Sequence, residues 1–347
     1  MKLSALLPIG LLAILMLAFP TSAHVPILAG ENENISSAQH ISDPGKSWAV
    51  YGSMEQSEAH YYSFDMEKGE RIYLSLFRSA DAKERDFQPA LALLGPGLDA
   101  GVRPAPQLDL PPQASYLKML AAEEKGTTNA VYEPFGPGSF IELAEINITA
   151  PESARYFAAV YSKNSINGID GAPGHYGLVV GYREVYSFSE RMTTPIRLIS
   201  VYLWEGQSLG IILIPYIVAE AIALLFFWRG PRRTSFCLAG SLAGFLFLAT
   251  SASFLTQMVF SLTRAAFVPE VYITVAIAVL HALLGVAAIR LARGEAGILQ
   301  RALLAVLGTL ALLAGSGLIM GGILALAASF LPSKSGSIFG NISPRER

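Results

Sequence analysis

The chain carries one cysteine in 347 residues, Cys237. A single thiol excludes an intrachain disulfide, and no Cys-x-x-Cys pair is present for zinc or redox chemistry. No lipobox cysteine follows the N-terminal apolar run, which argues against a lipoprotein. Charge is scarce as well: Asp, Glu, Lys and Arg make up 15% of the residues, against about 25% in ordinary soluble domains. Catalytic signatures are also missing. There is no His-Glu-x-x-His and no Gly-x-Ser-x-Gly, and no spacing of Ser, His and Asp selects a triad. Gly45-Lys46-Ser47 resembles the end of a phosphate loop, but the position five residues before its glycine is His40, where that loop needs glycine. These absences point away from a hydrolase and toward a non-enzymatic role with no resident cofactor.

Apolar residues are abundant instead, at 52% of the chain, with mean hydropathy +0.43. Their distribution divides the sequence. Residues 1–23 read as an export signal: Lys2, the apolar run from Ala5 to Phe19, and Pro20-Thr21-Ser22-Ala23 as a small-residue cleavage site. Cleavage after Ala23 makes His24 the first mature residue. From His24 to Gly206 there are 14 Lys and Arg against 23 Asp and Glu, net −9; from Gln207 to Arg347 there are 10 against 4, net +6. An acidic exported part argues against nucleic acid as a partner.

Between residues 24 and 185 the pattern is β. Short segments rich in aromatic and β-branched residues cover Trp48 to Gly52, His60 to Met66, Arg71 to Phe77, Ala90 to Pro96, Ser139 to Thr149, Arg155 to Tyr161 and His175 to Arg183, with turn clusters between them. Such spacing is expected of a β-sandwich. Alternation places His60, Tyr62 and Phe64 on one face of their strand and Tyr61, Ser63 and Asp65 on the other. The Pro-rich stretch from Leu98 to Thr128 reads as a long loop, with one short helix over Tyr116 to Gly126. Binding is expected on such a loop.

Four segments carry a family resemblance: GSMEQSEAHYYSFDMEKGERIYLSLF, ALALLGP, APESARYFAAVYS and GHYGLVVGY. Together they resemble the bacterial pre-peptidase C-terminal domain over roughly residues 45 to 185. That resemblance implies a jelly-roll-like sandwich serving as an accessory binding or secretion-linked module, and it carries over no catalytic residue. Ala154 stands where the family has glycine. The AHVP start, the DPGKSW segment and the WEGQS lead-in to the first long apolar run also resemble a group of uncharacterised archaeal membrane-anchored proteins.

Residues 186–206 read as a juxtamembrane linker or interfacial helix, with Ser189 as its N-cap. Ile196, Ile199, Leu203 and Trp204 lie at helical spacing on its membrane-facing side. Residues 207–331 hold four apolar stretches: 208–228, 235–260, 271–291 and 302–331. Each meets the requirement of about 20 residues for a spanning helix. The expected fold class is therefore β plus membrane α: an extracytoplasmic sandwich on a four-helix transmembrane bundle. The basic loops carrying Arg229, Arg232 and Arg233, and Arg290, Arg293 and Arg301, fall on the cytoplasmic side. The tail, residues 332–347, then lies outside with the sandwich. Trp204 and Trp228 read as interfacial anchors.

Candidate site residues follow from this frame. A histidine at a free N-terminus can hold copper through its amine and ring if a second imidazole folds nearby. His60 and His175 are the candidates for that second ring. Glu220 and His281 fall about 18 and 15 Å into helices running the same way, and so are expected to pair near the membrane centre. Asn34, Asn147 and Asn341 head N-x-S/T triplets on the outer side. Gly240 with Gly244, and Gly317 with Gly321, form GxxxG motifs for close helix packing, within the bundle or in a homo-oligomer. The function expected is a non-catalytic, membrane-anchored module binding surface proteins or glycans beside membrane lipid, with copper or divalent-cation handling as the alternative.

Overall fold

Alternation of apolar and polar side chains builds the N-terminal half. The computed structural model describes residues 24–55, 58–98, 108, 118–126, 129–162, 172–230 and 234–332. The expected export signal, most of the Pro-rich loop, Arg232, Arg233 and the tail from 333 with Asn341 lie outside the described residues. Twelve strands are described: β1 (Val25–Leu28), β2 (Gln39–His40), β3 (Trp48–Met54), β4 (Ala59–Met66), β5 (Arg71–Ser79), β6 (Pro89–Gly95), β7 (Lys118–Ala121), β8 (Glu123–Glu124), β9 (Val131–Glu133), β10 (Gly138–Thr149), β11 (Ala154–Ser162) and β12 (Gly174–Val180). The larger sheet runs β1-β3-β12-β5-β10-β8, with β9 also on β10, and the smaller runs β2-β4-β11-β6-β7. Pairing is antiparallel except where β1 follows β3 and β2 follows β4.

The two sheets close on each other in a sandwich-like arrangement. Val50, Leu74, Leu76, Ile146 and Leu178 come from the larger sheet; Tyr62, Phe64, Leu91, Leu93 and Val160 come from the smaller. Each is at most 3% exposed. All seven expected strands are present, within a few residues at their ends. The short helix expected over Tyr116 to Gly126 is not: its described part forms β7 and β8. Lys118–Ala121 pairs with β6, and Met119 is buried there, so sheet pairing outweighs a weak local helix preference.

Six helices follow among the described residues: α1 (Phe188–Trp204), α2 (Leu209–Arg229), α3 (Ser235–Leu262), α4 (Val271–Arg293), α5 (Ile298–Leu313) and α6 (Met320–Phe330). Ser187, not Ser189, caps α1: its hydroxyl accepts from the Glu190 N–H while Glu190 reaches back to the Ser187 N–H. Ser208 and Thr234 cap α2 and α3 through their own hydroxyls. Three helices, α2, α3 and α4, are long and apolar enough to cross a membrane.

The fourth expected span is not one helix. Residues 314–319 break it into α5 and α6, which pack on each other as a hairpin. Gly315 and Gly317 adopt positive φ, and so do Leu318 at 51° and Ile319 at 69°. Hydropathy registers the apolar length of this stretch and is blind to that reversal. The hairpin brings the chain back to its starting end. Arg301 donates to the Ser329 carbonyl at 2.8 Å, and Pro332 accepts from the Phe236 N–H. Pro332 therefore sits beside the start of α3, and Ser329 beside the start of α5, at the end of the bundle opposite the sandwich. The expected outer tail beyond Pro332 lies outside the described residues.

The GxxxG glycines are used within the chain. A methyl group on Gly240 would meet Ala292 at 2.7 Å, and one on Gly244 would meet the Gly285 carbonyl at 2.8 Å, so these two positions seat α3 against α4. Gly317 lies in the break, and Gly321 backs onto Phe247.

The two halves are joined by α1, which crosses the outer face of the larger sheet. At its start, Lys46 pairs with Glu190 at 2.5 Å. At its end, Trp204 is 6% exposed, and its indole N–H donates to the carbonyls of Gly52 (3.0 Å) and Tyr176 (3.1 Å). It is packed edge-on to Tyr51 and Phe77. Trp204 is thus a plug in the sheet, not a membrane anchor; Trp228, 66% exposed, remains placed for that role. Farther along, Tyr132 bonds Thr274 at 2.7 Å and Thr274 donates to the Pro134 carbonyl. A bridge joins Ala130 to Ala265.

The hairpin generates a direct test. In a Cys237→Ala background, cysteines placed singly at Ser153 and at Pro332 are expected to react with a membrane-impermeant maleimide from opposite faces of sealed vesicles. Labelling of both from one face would contradict the hairpin.

Candidate functional site

The structure gives each candidate histidine its own surroundings. His24 Nδ1 lies 2.5 Å from Ser47 Oγ, and burial pushes its pKa down to about 4. His60 Nδ1 lies 2.7 Å from the Tyr176 hydroxyl, with Glu58 on its other side. His175 is held by Glu84, 2.5 Å from its Nδ1, and that carboxylate raises its pKa. Each ring has its own protein neighbour. No group of three or more His, Cys, Asp or Glu side chains able to hold a metal ion occurs among the described residues.

Glu220 and His281 lie on α2 and α4, which each pack on α3, and no ion pair between the two side chains occurs among the described residues. His281 is 2% exposed and packs on Phe254. Asn34 is exposed at the start of a single 3-10 turn. Asn147 is exposed on β10, where its carbonyl oxygen accepts from Arg71 at 3.0 Å. Lys46 of the Gly-Lys-Ser triplet is committed to Glu190.

What the fold does assemble is a cleft between the outer face of the larger sheet and α1. Its walls include Tyr51, Tyr73, Phe77, Phe140, Val201 and Trp204, and His24, Glu133, Glu142 and Glu205 also line it. Its free space is about 830 Å³, part of it open solvent at the mouth. Strand alternation supplies most of the lining. On β5, Ile72, Leu74 and Leu76 enter the core, so Tyr73, Ser75 and Phe77 face outward. On β3, Val50 and Met54 enter the core and Tyr51 faces outward.

On β10 a bulge does the work. Its pairing with β5 slips between Glu142 and Ala144. Beyond the slip Ala144 and Ile146 enter the core, whereas before it Phe140 and Glu142 enter the cleft. All four are even-numbered; only the extra residue turns them to opposite faces.

Two cleft carboxyls are shielded from water, Glu205 fully and Glu133 in part. Glu205 is 2% exposed. It accepts from the Ser139 N–H at 2.8 Å and from the Gln207 amide at 3.3 Å. Desolvation nevertheless pushes its pKa up to about 7, with Arg264 opposing. Glu133 is pushed up to about 7 as well, by desolvation, against a hydrogen bond from the Phe135 N–H, with Glu184 adding to the rise. Glu142 differs in sitting beside Lys125 at 2.8 Å. The cleft thus offers aromatic faces, one solvated carboxylate, and two carboxyls that titrate near neutrality.

No family model matches the chain, and no curated protein matches it. Among solved structures, the chain is similar to the pre-peptidase C-terminal domain of a collagenase from Bacillus anthracis: 16% identity, TM-score 0.24, covering 41% of this chain and 91% of that one. It is similar to a secreted protein of Methylococcus capsulatus in which an oxidised tryptophan facilitates copper binding: 12% identity, TM-score 0.20, covering 47% and 100%. It is also similar to a surface-associated copper-binding protein important in copper acquisition by Methylomicrobium album BG8: 10% identity, TM-score 0.20, covering 46% and 99%. At these scores the likenesses carry no argument about function, and the sandwich rests on its own strand pairing. Nothing in them supports the archaeal resemblance.

The raised carboxyls make stability depend on pH. A carboxyl whose folded pKa exceeds its unfolded value favours the folded state most when protonated. Its contribution is complete below about pH 4.5 and is lost as pH rises to above 7. For Glu205 that loss is about 3 kcal/mol. Glu205→Gln retains an acceptor for Ser139. Denaturation followed from pH 4.5 to 8 is expected to show a shallower decline for this variant and greater stability than the parent at pH 8. A parallel decline would mean that Glu205 is not the group titrating.

Proposed function

We propose that the chain is a membrane-anchored, extracytoplasmic binding module without catalytic activity, exported by residues 1–23. Its jelly-roll-like sandwich presents the cleft over β3, β5, β10 and β12 to a small organic cation or to an amine-bearing group on a larger surface molecule. The observation that carries this reading is the pairing of aromatic walls with two carboxyls of pKa about 7 in one cleft. An ammonium group gains from aromatic faces. It also compensates a carboxylate that burial otherwise keeps protonated. The acidity of residues 24–206 attracts such cations. Copper handling through His24 lacks an assembled ligand set among the described residues, so the organic cation is the preferred ligand class.

Cation binding and carboxyl ionisation are linked, so affinity rises as pH passes through 7. Thermal-shift titrations of the full chain with choline, spermidine and a neutral chito-oligosaccharide are expected to show stabilisation by the amines, greater at pH 8 than at pH 6. Glu133→Gln is expected to weaken it about tenfold, the scale of one charge-assisted hydrogen bond. Equal stabilisation by the neutral sugar at both pH values, untouched by Glu133→Gln, would replace the cation reading with a glycan one.

A further inference from the structure

A second cavity lies on the other side of α1, where α1 meets α2, α3 and the turn of the α5–α6 hairpin. Arg191, Thr194, Ile212, Tyr216, Phe254 and Leu318 are among its lining residues, and its free space of about 630 Å³ includes open solvent at the mouth. Leu198 lines both this cavity and the aromatic cleft. Its lining is mainly apolar, and the Arg191 guanidinium has no ion pair or side-chain hydrogen bond among the described residues. We infer that this cavity is a lipid site: one acyl chain of a bilayer phospholipid enters between α1, α2 and the hairpin turn, and its anionic headgroup is held by Arg191.

Three observations support that occupant over a soluble one. The cavity borders α2, whose Ile211, Ile214, Ile217 and Val218 are 45–63% exposed on a membrane-spanning helix, so lipid tails surround its wall. The α1 surface nearby is apolar too, with Phe188 65% and Ile196 49% exposed. The floor is irregular backbone: Ala314, Gly315 and Leu318 line the cavity, and Gly315 and Leu318 have positive φ. Non-helical backbone at membrane depth persists only where protein buries it or where it lines a cavity. Here the turn also has its own supports, since the Gly317 N–H donates to Thr250 at 2.8 Å and Gly315 abuts Pro195. Charge selects the headgroup. The sandwich half carries net −9, so an arginine without an ion pair at an apolar cavity is a local exception that an anionic head satisfies.

The test uses the full chain in phosphatidylcholine nanodiscs doped with a diazirine-tailed phosphatidylglycerol or, separately, a diazirine-tailed phosphatidylcholine. Photocrosslinks of the glycerol lipid are expected to map to residues 191–202 and 250–254. Arg191→Gln is expected to lower their yield about tenfold, as loss of one charge-assisted contact would, and Arg191→Lys to restore part of it. Arg85→Gln, on an exposed turn of the sandwich, is expected to change nothing. Ser253→Trp, which fills the cavity, is expected to abolish these crosslinks; should the tryptophan variant fail to fold, the arginine variants decide the matter alone. Equal yields from the two lipids, crosslinks confined to the outer face of α2, or no effect of Arg191→Gln would overturn the proposal. Displacement of the probe by free glycerol phosphate would overturn it in favour of a soluble anion.

Discussion

The architecture depends on one side chain seated in a sheet. Trp204 ends α1 with its indole N–H on two carbonyls, those of Gly52 and Tyr176, which face each other across β3 and β12. The carbonyls are already part of the sheet, so the indole is satisfied only where it stands. Burying an indole without a partner is costly, and that cost fixes α1 in position. The next residues are constrained in turn. Glu205 is carried under β10, Gly206 turns at a φ of 86° with Asp81 where a methyl would sit, and Gln207 reaches Gln257 on α3 at 2.6 Å. Arg264 closes the junction by donating to the Glu205 carbonyl at 2.7 Å while facing Asp81 at 3.6 Å. A sandwich that a plain linker would leave hanging from the membrane is instead bolted to it.

Both cavities are consequences of that fixed helix. Held across the sheet, α1 roofs the aromatic cleft on one side and walls the membrane cavity on the other, with Leu198 between them. The hairpin turn completes the second cavity because it rises to meet α1. At about 1.5 Å per residue, the 16 residues of α5 reach about 24 Å, enough to bring Gly315 against Pro195 of α1. The result is a membrane part of three candidate spans and one returning hairpin, with the basic residues Arg229, Arg293 and Arg301 gathered at one end.

Much of this was legible in the sequence, for a physical reason in each case. Period-2 alternation marked seven strands because each has one face in a common core, and β5 shows it cleanly. Apolar length marked α2, α3 and α4. The short strands escaped because two to four residues hold no period, and β7 escaped because its reason for being a strand is β6. The cleft escaped for a subtler reason. Outward-facing Tyr51, Tyr73 and Phe77 signal a second covered face, but the bulge that adds Phe140 and Glu142 leaves no trace in alternation. Trp204 reads as a membrane anchor until its carbonyl partners are seen. For the histidines and for Glu220 and His281, depth and spacing place residues along elements, while pairing depends on which elements touch.

The central claim is that the sandwich and the bundle form one rigid unit through the Trp204–Glu205 junction. Its most direct measurement is a spin–spin distance in the full chain in nanodiscs. With Cys237 replaced by alanine, labels go on Lys68, in an exposed turn of the sandwich, and Phe267, in the connection between α3 and α4. A single narrow distance distribution, broadened by Trp204→Ala, is expected. A broad or multiple distribution in the parent, indifferent to Trp204, would show that the halves move independently.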